Sequence, residues 1–363
     1  MQIRVGILTA PQIEFEQREK TFVLKNVRIG IGFHWDRHED QEFAGSLEIR
    51  NNADGTQTAI NTIDLEDYLC SVISSEMSAN SPMELLKAHA VISRSWAIRA
   101  IQKPNHEGFH VCADDHCQRY EGLRRMRQSC PDGAKNERAV EAVRATKGQV
   151  LVYGQKDDVQ GTKEEICDCR YYKCCGGKTE VWRTCWEDID VPYIQSVRCD
   201  WCKSPSPKVL RLVLNDYDQE TKDFRDWIVS YTADELSEII RTKSGIDFGE
   251  IIDLIPLKRG ASGRIYELQI VGSKRTEIIG KELKIRLWLS RTCLYSSWFE
   301  VEKEPSSFVP RHFVLKGHGW GHGAGLCQIG AAVMASEGKS YEEILSYYYH
   351  NTQLTIGRLT RYD

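Results

Sequence analysis

The stretch that most constrains this chain is residues 64–101, DLEDYLCSVISSEMSANSPMELLKAHAVISRSWAIRAI, because it asks for two consecutive helices and leaves the second no face for water. Leu65, Tyr68, Leu69, Val72 and Ile73 recur at helical spacing, and one further turn of that apolar stripe lands on Glu76. A carboxylate there points toward a core. Ser81, Pro82 and Glu84 read as a capping box with proline in the first helical position, which predicts a second helix running to about Gln102, ahead of Lys103 and Pro104. Leu85, Leu86, Ala88, Ala90, Val91, Ile92, Trp96, Ala97, Ile98 and Ala100 cover nearly its whole circumference, so this helix is expected to be central. Lys87 and Arg94 place two cations on one side of it. An isolated glutamate is ordinarily solvated, but the stripe position makes Glu76 a candidate functional acid.

The 363 residues, 41% hydrophobic and 28% charged, fit a globular chain long enough for one large domain or two smaller ones. The apolar runs fall short of the ~18 residues of a spanning helix, so no transmembrane segment is expected. Forty-eight basic against 52 acidic residues, with no basic tail, argue against a nucleic-acid partner. Of the 13 cysteines, Cys167, Cys169, Cys174, Cys175, Cys185, Cys199 and Cys202 crowd one segment. They read as disulfides in an oxidising compartment, and as a metal site or free thiols in a reducing one. The N-terminus lacks the charged start, apolar run and cleavage site of a signal peptide.

Along the chain the pattern is α+β, with helices and small sheets around the central helix. Residues 1–60 form a β-rich N-terminal segment, with Ile3, Val5 and Ile7 alternating. Residues 61–355 form the main domain, with a β-rich part at about 208–315. A helix is expected at about 136–147, ending at Gly148 and followed by a strand over 149–153. Pro205 and Pro207 read as a linker. Thr232 and Glu235 form a capping box before a short helix, and residues 251–257, 266–271 and 276–279 are strand-like. Near the C-terminus a glycine-rich turn leads into a small-residue helix, a stop at Gly338 and an aromatic helix.

Glycine alternates with other residues through His318–Gly325, HGWGHGAG. This is not a dinucleotide fingerprint, because Ala324 and Leu326 stand where the third glycine would fall, and no glutamate follows His318 to make a zinc-protease motif. A loop remains that can bring backbone amides and two imidazoles to a polar ligand; a plain structural turn is the alternative. His106, His110, Cys112, His116 and Cys117 have the composition of a zinc site, with a Cys112–Cys117 disulfide or a lone Cys117 thiol as alternatives. Cys199 and Cys202, with Cys167 and Cys169, form a second candidate set for zinc or disulfides.

The Glu76 segment, the HCQ-x-Y run at His116 to Tyr120, the GGKT turn at Gly176 to Thr179, the GASGR segment at Gly260 to Arg264 and HGWGHGAGLCQIGA occur in one order that resembles the SpoIID/LytB family. The resemblance covers about residues 60–354. It implies a peptidoglycan glycan-strand lyase, a lytic transglycosylase, in which Glu76 is the catalytic acid of an E-M-P motif with Ser78 in place of proline. Arg94 matches the arginine of the A-R-T-Y motif and Trp96 its tyrosine. The family binds glycan through residues matching Arg94, His116, Cys117 and Tyr120, and zinc held by His and Cys residues occurs at that loop in some members. The substrate-binding candidates are thus Arg94, Trp96, His116, Cys117, Tyr120, Tyr172, Lys178, Thr179, His318, His322 and Gln328, with His106, Cys112 and Cys117 as zinc ligands and no organic cofactor.

The expected chemistry needs one carboxylate. Protonated Glu76 donates to the oxygen between N-acetylmuramic acid and N-acetylglucosamine, then as carboxylate takes the proton of the muramyl C6 hydroxyl, closing a 1,6-anhydro ring. The partners implied are glycan strands, and a cell-wall amidase if the chain is instead a non-catalytic wall-binding enhancer; a zinc hydrolase is a further alternative. Glycan as substrate implies a place in the cell envelope or periplasm, outside the cytoplasm.

Overall fold

The computed structural model describes residues 1–33, 35–128, 137–157, 161–215, 218–220, 223–304 and 312–356. The fold is α+β, with helices set among several small sheets. Among the described residues no helix is long and apolar enough to cross a membrane.

Helix α1 (Leu65–Glu76) follows directly from the strand Gln57–Asp64, whose last residue caps it: the Asp64 carboxylate accepts from the Glu66 amide at 2.9 Å. Helix α2 (Met83–Gln102) lies between two cores, which is why it is apolar all round. Leu85, Ala88, Val91 and Ile92 pack with Leu326, Ile329 and Tyr348, while Leu86, Ala90, Ala97 and Ile98 pack with Ile3, Val5, Tyr68 and Leu69. Each fully buried leucine, isoleucine or valine among them stabilises the fold by roughly 1.5–3 kcal/mol. A third core, built on Trp227, Leu236, Phe248, Ile265, Phe299 and Phe313, belongs to residues 227–315.

The first sheet brings distant segments to the end of α1. Gln2–Ala10 runs antiparallel to Gln57–Asp64, with Ile3 opposite Ile63, and on its other edge pairs in parallel with Val111–Cys112. The chain leaving α2 is thereby returned to the α1 side, and residues 112–121 pass beside Glu76. From the opposite direction, Tyr171–Tyr172 pairs in parallel with Leu326–Cys327 and approaches the same point.

Three local expectations change. The helix after Ser81 starts at Met83 with Pro82 at its cap and no side-chain cap bond: Ser81 Oγ donates to the Leu212 carbonyl instead, and Glu84 pairs with Lys87. The proline segment is not a linker, because Ser206 caps a helix, Pro207–Val213, with Pro207 at its start. The helix expected at 136–147 spans Glu137–Ala145, position 136 lying outside the described residues, and its strand extends over Gln149–Asp157. The capping box expected at Thr232 forms, the structure adds another at Ser340 ahead of the aromatic helix Tyr341–Tyr348, and Gly338 takes a positive φ of 88° just past the small-residue helix Gln328–Ser336.

Arg94 is fully buried and makes a two-pronged pair with Glu66, at 2.8 and 2.7 Å, while donating to the Gln149 carbonyl at 3.1 Å. It ties the first turn of α1 to α2 and to the next strand. Removing one partner of such a pair strands the other charge in the interior, so Glu66→Gln is expected to lower the unfolding free energy by about 3 kcal/mol in a denaturant titration.

Candidate active site

Glu76 is the last residue of α1, where the negative end of the helix dipole meets the side chain and no basic residue occupies the final turn. It is only 9% exposed and opens onto a cleft of about 1540 Å³. Its Oε1 accepts two hydrogen bonds, from the Arg119 amide at 2.9 Å and the Tyr171 hydroxyl at 2.9 Å, which leaves Oε2 to carry a proton. Burial is the main force on this carboxyl and pushes its pKa up. The Arg119 charge and the two hydrogen bonds oppose that shift, and the nearby Asp115 reinforces it.

Two cations adjoin the acid, and both are engaged by other carboxylates. Arg119 Nε donates to Asp115 at 2.7 Å, its Nη1 lies 3.8 Å from Asp218, and its guanidinium lies 4.4 Å from the centre of the Trp35 ring. Lys173 Nζ donates to Asp218 at 2.6 Å and to the Glu76 backbone carbonyl at 3.1 Å. Because these charges are compensated, Glu76 sits in a nearly neutral, water-poor environment that does not force it to ionise.

Tyr171 is itself fixed by neighbours. Its ring meets the edge of His89 at 4.4 Å, and His89 bridges Ser93 Oγ at 3.0 Å and Gln328 Nε2 at 3.2 Å. Burial pushes the His89 pKa down to about 3, so the ring is neutral; Nε2 then accepts from the Gln328 amide and Nδ1 donates to Ser93. His322 is held in the same way, its pKa forced well down by burial, then by Arg170, Arg286 and Arg264; Nε2 donates to the Tyr171 carbonyl at 2.9 Å and Nδ1 accepts from the Ala324 amide at 3.1 Å.

Aromatic rings line the cleft, including Trp35, Trp96, Trp182, Trp186 and Trp320. The Arg170 guanidinium lies 4.8 Å from the Trp186 ring and 5.4 Å from the Trp182 ring, presenting a cation among faces suited to sugar rings. The glycine-rich loop shapes the far wall by interlocking with the GGKT turn. A Cβ on Gly176 would lie 2.9 Å from the Gly319 nitrogen, and one on Gly319 2.8 Å from the Cys174 carbonyl, both at positive φ. Cys174 and Trp320 exchange backbone hydrogen bonds at 3.0 and 2.7 Å across that junction. Buried Arg264 and Glu180 clamp it, Arg264 donating to the Gly321 carbonyl and Glu180 accepting from Ser262.

The sequence candidates divide accordingly. Glu76, Trp96, His116, Cys117, Tyr120, Tyr172, His322 and Gln328 all line the cleft. Tyr120 is buried there with its hydroxyl on Asn61 at 2.7 Å. Arg94 is not brought to the cleft, nor are Lys178, which is exposed, and Thr179, whose hydroxyl serves the Gln195 carbonyl and the Val197 amide. His318 turns outward to pair with Asp226 at 2.6 Å. His106, Cys112 and Cys117 do converge, joined by His116: the four donor atoms lie within 4.8 Å of one another, with His106 Nε2 3.3 Å from Cys117 Sγ. Cys199 and Cys202 do not group with Cys167 and Cys169; their partners are Cys175 and Cys327.

Sequence reasoning passed over Arg119, Tyr171, Lys173 and Asp218. The first occupies the variable position of HCQ-x-Y. The next two flank Tyr172 in YYK, and strand alternation turns Tyr171 and Lys173 to the acid while Tyr172 faces His322 and Arg264. That alternation was the available signal.

Because the Tyr171 hydrogen bond favours the ionised acid, Tyr171→Phe is expected to raise the Glu76 pKa further, read by carboxyl infrared titration against Glu76→Gln. The raised pKa also fixes a linkage sign. Stability tied to the protonated acid is complete below the unfolded glutamate pKa, about 4.3, and is lost as pH rises through the higher folded value. Glu76→Gln removes that loss, so its Tm is expected to exceed the parent's increasingly across this window; an unchanged difference would show that Glu76 titrates normally.

Residues 53–153 match the family described as stage II sporulation protein (SpoIID), and residues 180–325 match a domain of unknown function (DUF8618). The chain is 27% identical to stage II sporulation protein D of Bacillus subtilis (strain 168), over 82% of this chain and 76% of that protein. It is 29% identical to an uncharacterized protein of Brachyspira hyodysenteriae, over 86% and 72% of the two chains. It is also 26% identical to the amidase enhancer of Bacillus subtilis, over 78% of this chain but 40% of that protein. The Glu76 segment, the central helix and the 112–120 loop all lie inside the matched region, so the part of the chain that carries the candidate site, residues 53–153, is a SpoIID-family domain.

Proposed function

We propose that this chain acts on the cell wall as a lytic transglycosylase, cutting the bond between N-acetylmuramic acid and N-acetylglucosamine in peptidoglycan glycan strands. The observation that carries the reading is the buried carboxyl of Glu76, its pKa raised, at the wall of a long aromatic cleft. Such a group keeps its proton at a pH where an exposed glutamate has lost it. Oε2 gives the proton to the glycosidic oxygen, and the carboxylate left behind is steadied by the Arg119 amide and the Tyr171 hydroxyl. It then takes the proton of the muramyl C6 hydroxyl as that oxygen closes on C1, so one residue serves as acid and base and no water enters the product. The ring faces of Trp96, Trp182 and Trp186 and the Arg170 charge support binding of a strand that lies along the cleft.

The donor set of His106, Cys112, His116 and Cys117, two imidazoles and two thiols within mutual reach, fits zinc. Bound there, the ion would supply a structural tie for the loop that continues into Arg119. A second reading, a non-catalytic enhancer of a cell-wall amidase, is supported by similarity to the amidase enhancer. Either activity belongs in the cell envelope, where glycan strands are.

Glycan strands with and without stem peptides, digested and analysed by mass spectrometry, should yield 1,6-anhydro-muramyl ends. Glu76→Gln should reduce their release about 10²- to 10⁴-fold. Reducing ends that carry added water would replace the lyase by a hydrolase, for which Asp114 and Asp115 in the same cleft would be the second-carboxylate candidates. No release, together with stimulation of an amidase by both parent and Glu76→Gln, would favour the enhancer.

A further inference from the structure

We propose that Cys175, Cys199, Cys202 and Cys327 form a second metal centre, a tetrathiolate site for one structural zinc ion. The four thiols are fully buried, and their sulfur atoms all lie within 4.8 Å of one another. The edge of a zinc–sulfur tetrahedron with bonds of about 2.3 Å is about 3.8 Å, so the sulfurs are close enough together for a site of that size, with Cys175 Sγ and Cys202 Sγ 3.1 Å apart. They come from three separate segments: the CCGG turn, the Cys199–Cys202 turn around a short 3₁₀ helix (Asp200–Cys202), and the cap of the helix Gln328–Ser336.

The surroundings suit thiolates rather than thiols. Cys327 Sγ accepts from the amides of Cys175 and Gly330, each at 3.3 Å, and Cys175 Sγ accepts from the Gly177 amide at 3.3 Å. The Tyr348 hydroxyl lies 3.3 Å from Cys199 Sγ. Donors aimed at sulfur are the outer partners that a metal thiolate centre uses to offset charge, and an all-sulfur tetrahedral set selects zinc or iron over harder cations. Cys174 approaches Cys202 and Cys327 but stands outside the mutual set of four.

The centre would fasten the parallel pair of Tyr171–Tyr172 with Leu326–Cys327, since Cys327 is directly opposite Tyr172. It would thereby set the strand from which Tyr171 and Lys173 reach Glu76, without touching substrate. It is separate from the His106–Cys117 group and does not depend on the reaction assigned to Glu76.

The test is metal analysis and zinc K-edge X-ray absorption on the purified full chain. A C112S/C117S variant isolates the site and should retain about one zinc with a shell of four sulfurs at about 2.3 Å; C174S should keep that zinc and C199S/C202S should lose it. If C112S/C117S fails to fold, the unaltered protein decides, because two loaded sites average about three sulfurs per zinc whereas the His–Cys group alone gives about two. A folded C112S/C117S without metal, disulfides among the four cysteines in unreduced peptide mapping, or iron in place of zinc would each overturn the proposal.

Discussion

The arrangement turns on keeping one carboxyl uncharged beside two cations. Arg119 and Lys173 would ordinarily ionise a neighbouring glutamate, but Asp115 and Asp218 pair with them, and desolvation outweighs the pull that Arg119 still exerts on Glu76. Removing the water around such a group is tolerable only because its polar neighbours are already paired. The rest of the fold can be read as the means of assembling that pairing: the first sheet delivers Arg119, the strand pair at Tyr171 delivers Tyr171 and Lys173, and α2 separates the two cores on which these segments rest.

Support for the acid extends well beyond its direct contacts. Gln328 and Ser93 hold neutral His89, His89 packs on Tyr171, and Tyr171 bonds Glu76. His322 holds the backbone of Tyr171 from the other side. The glycine-rich loop therefore contributes less as a nest of amides for a ligand than as a surface against which the GGKT turn can close, with Gly176 and Gly319 in contact where any side chain would collide. Neutral histidines and compensated cations give the cleft few unpaired charges near the acid. Its aromatic walls then provide the contact area.

Much of the fold was legible because strong periodicity reports local burial. The stripe ending in Glu76, the all-round apolar α2, the capping box at Thr232 and the strands around 251–279 depend on residues a few positions apart. Arg94 shows where such reading stops. Its place on a buried helix was clear, but its partner is Glu66, and nothing in helical spacing distinguishes a cation facing a structural carboxylate from one facing substrate. Likewise, Ser81 and Glu84 carried a capping signature that the chain used for contacts to Leu212 and Lys87.

The sequence by itself determined that Glu76 lies on a core-facing stripe and that the following helix is central, since both follow from 3.6-residue periodicity. Tertiary structure alone decided what surrounds the acid. Arg119 and Tyr171 come from 43 and 95 residues along the chain, and the cysteine group joins the 175–202 segment to Cys327. Such meetings are set by how sheets and cores bring segments together, and no local pattern encodes them.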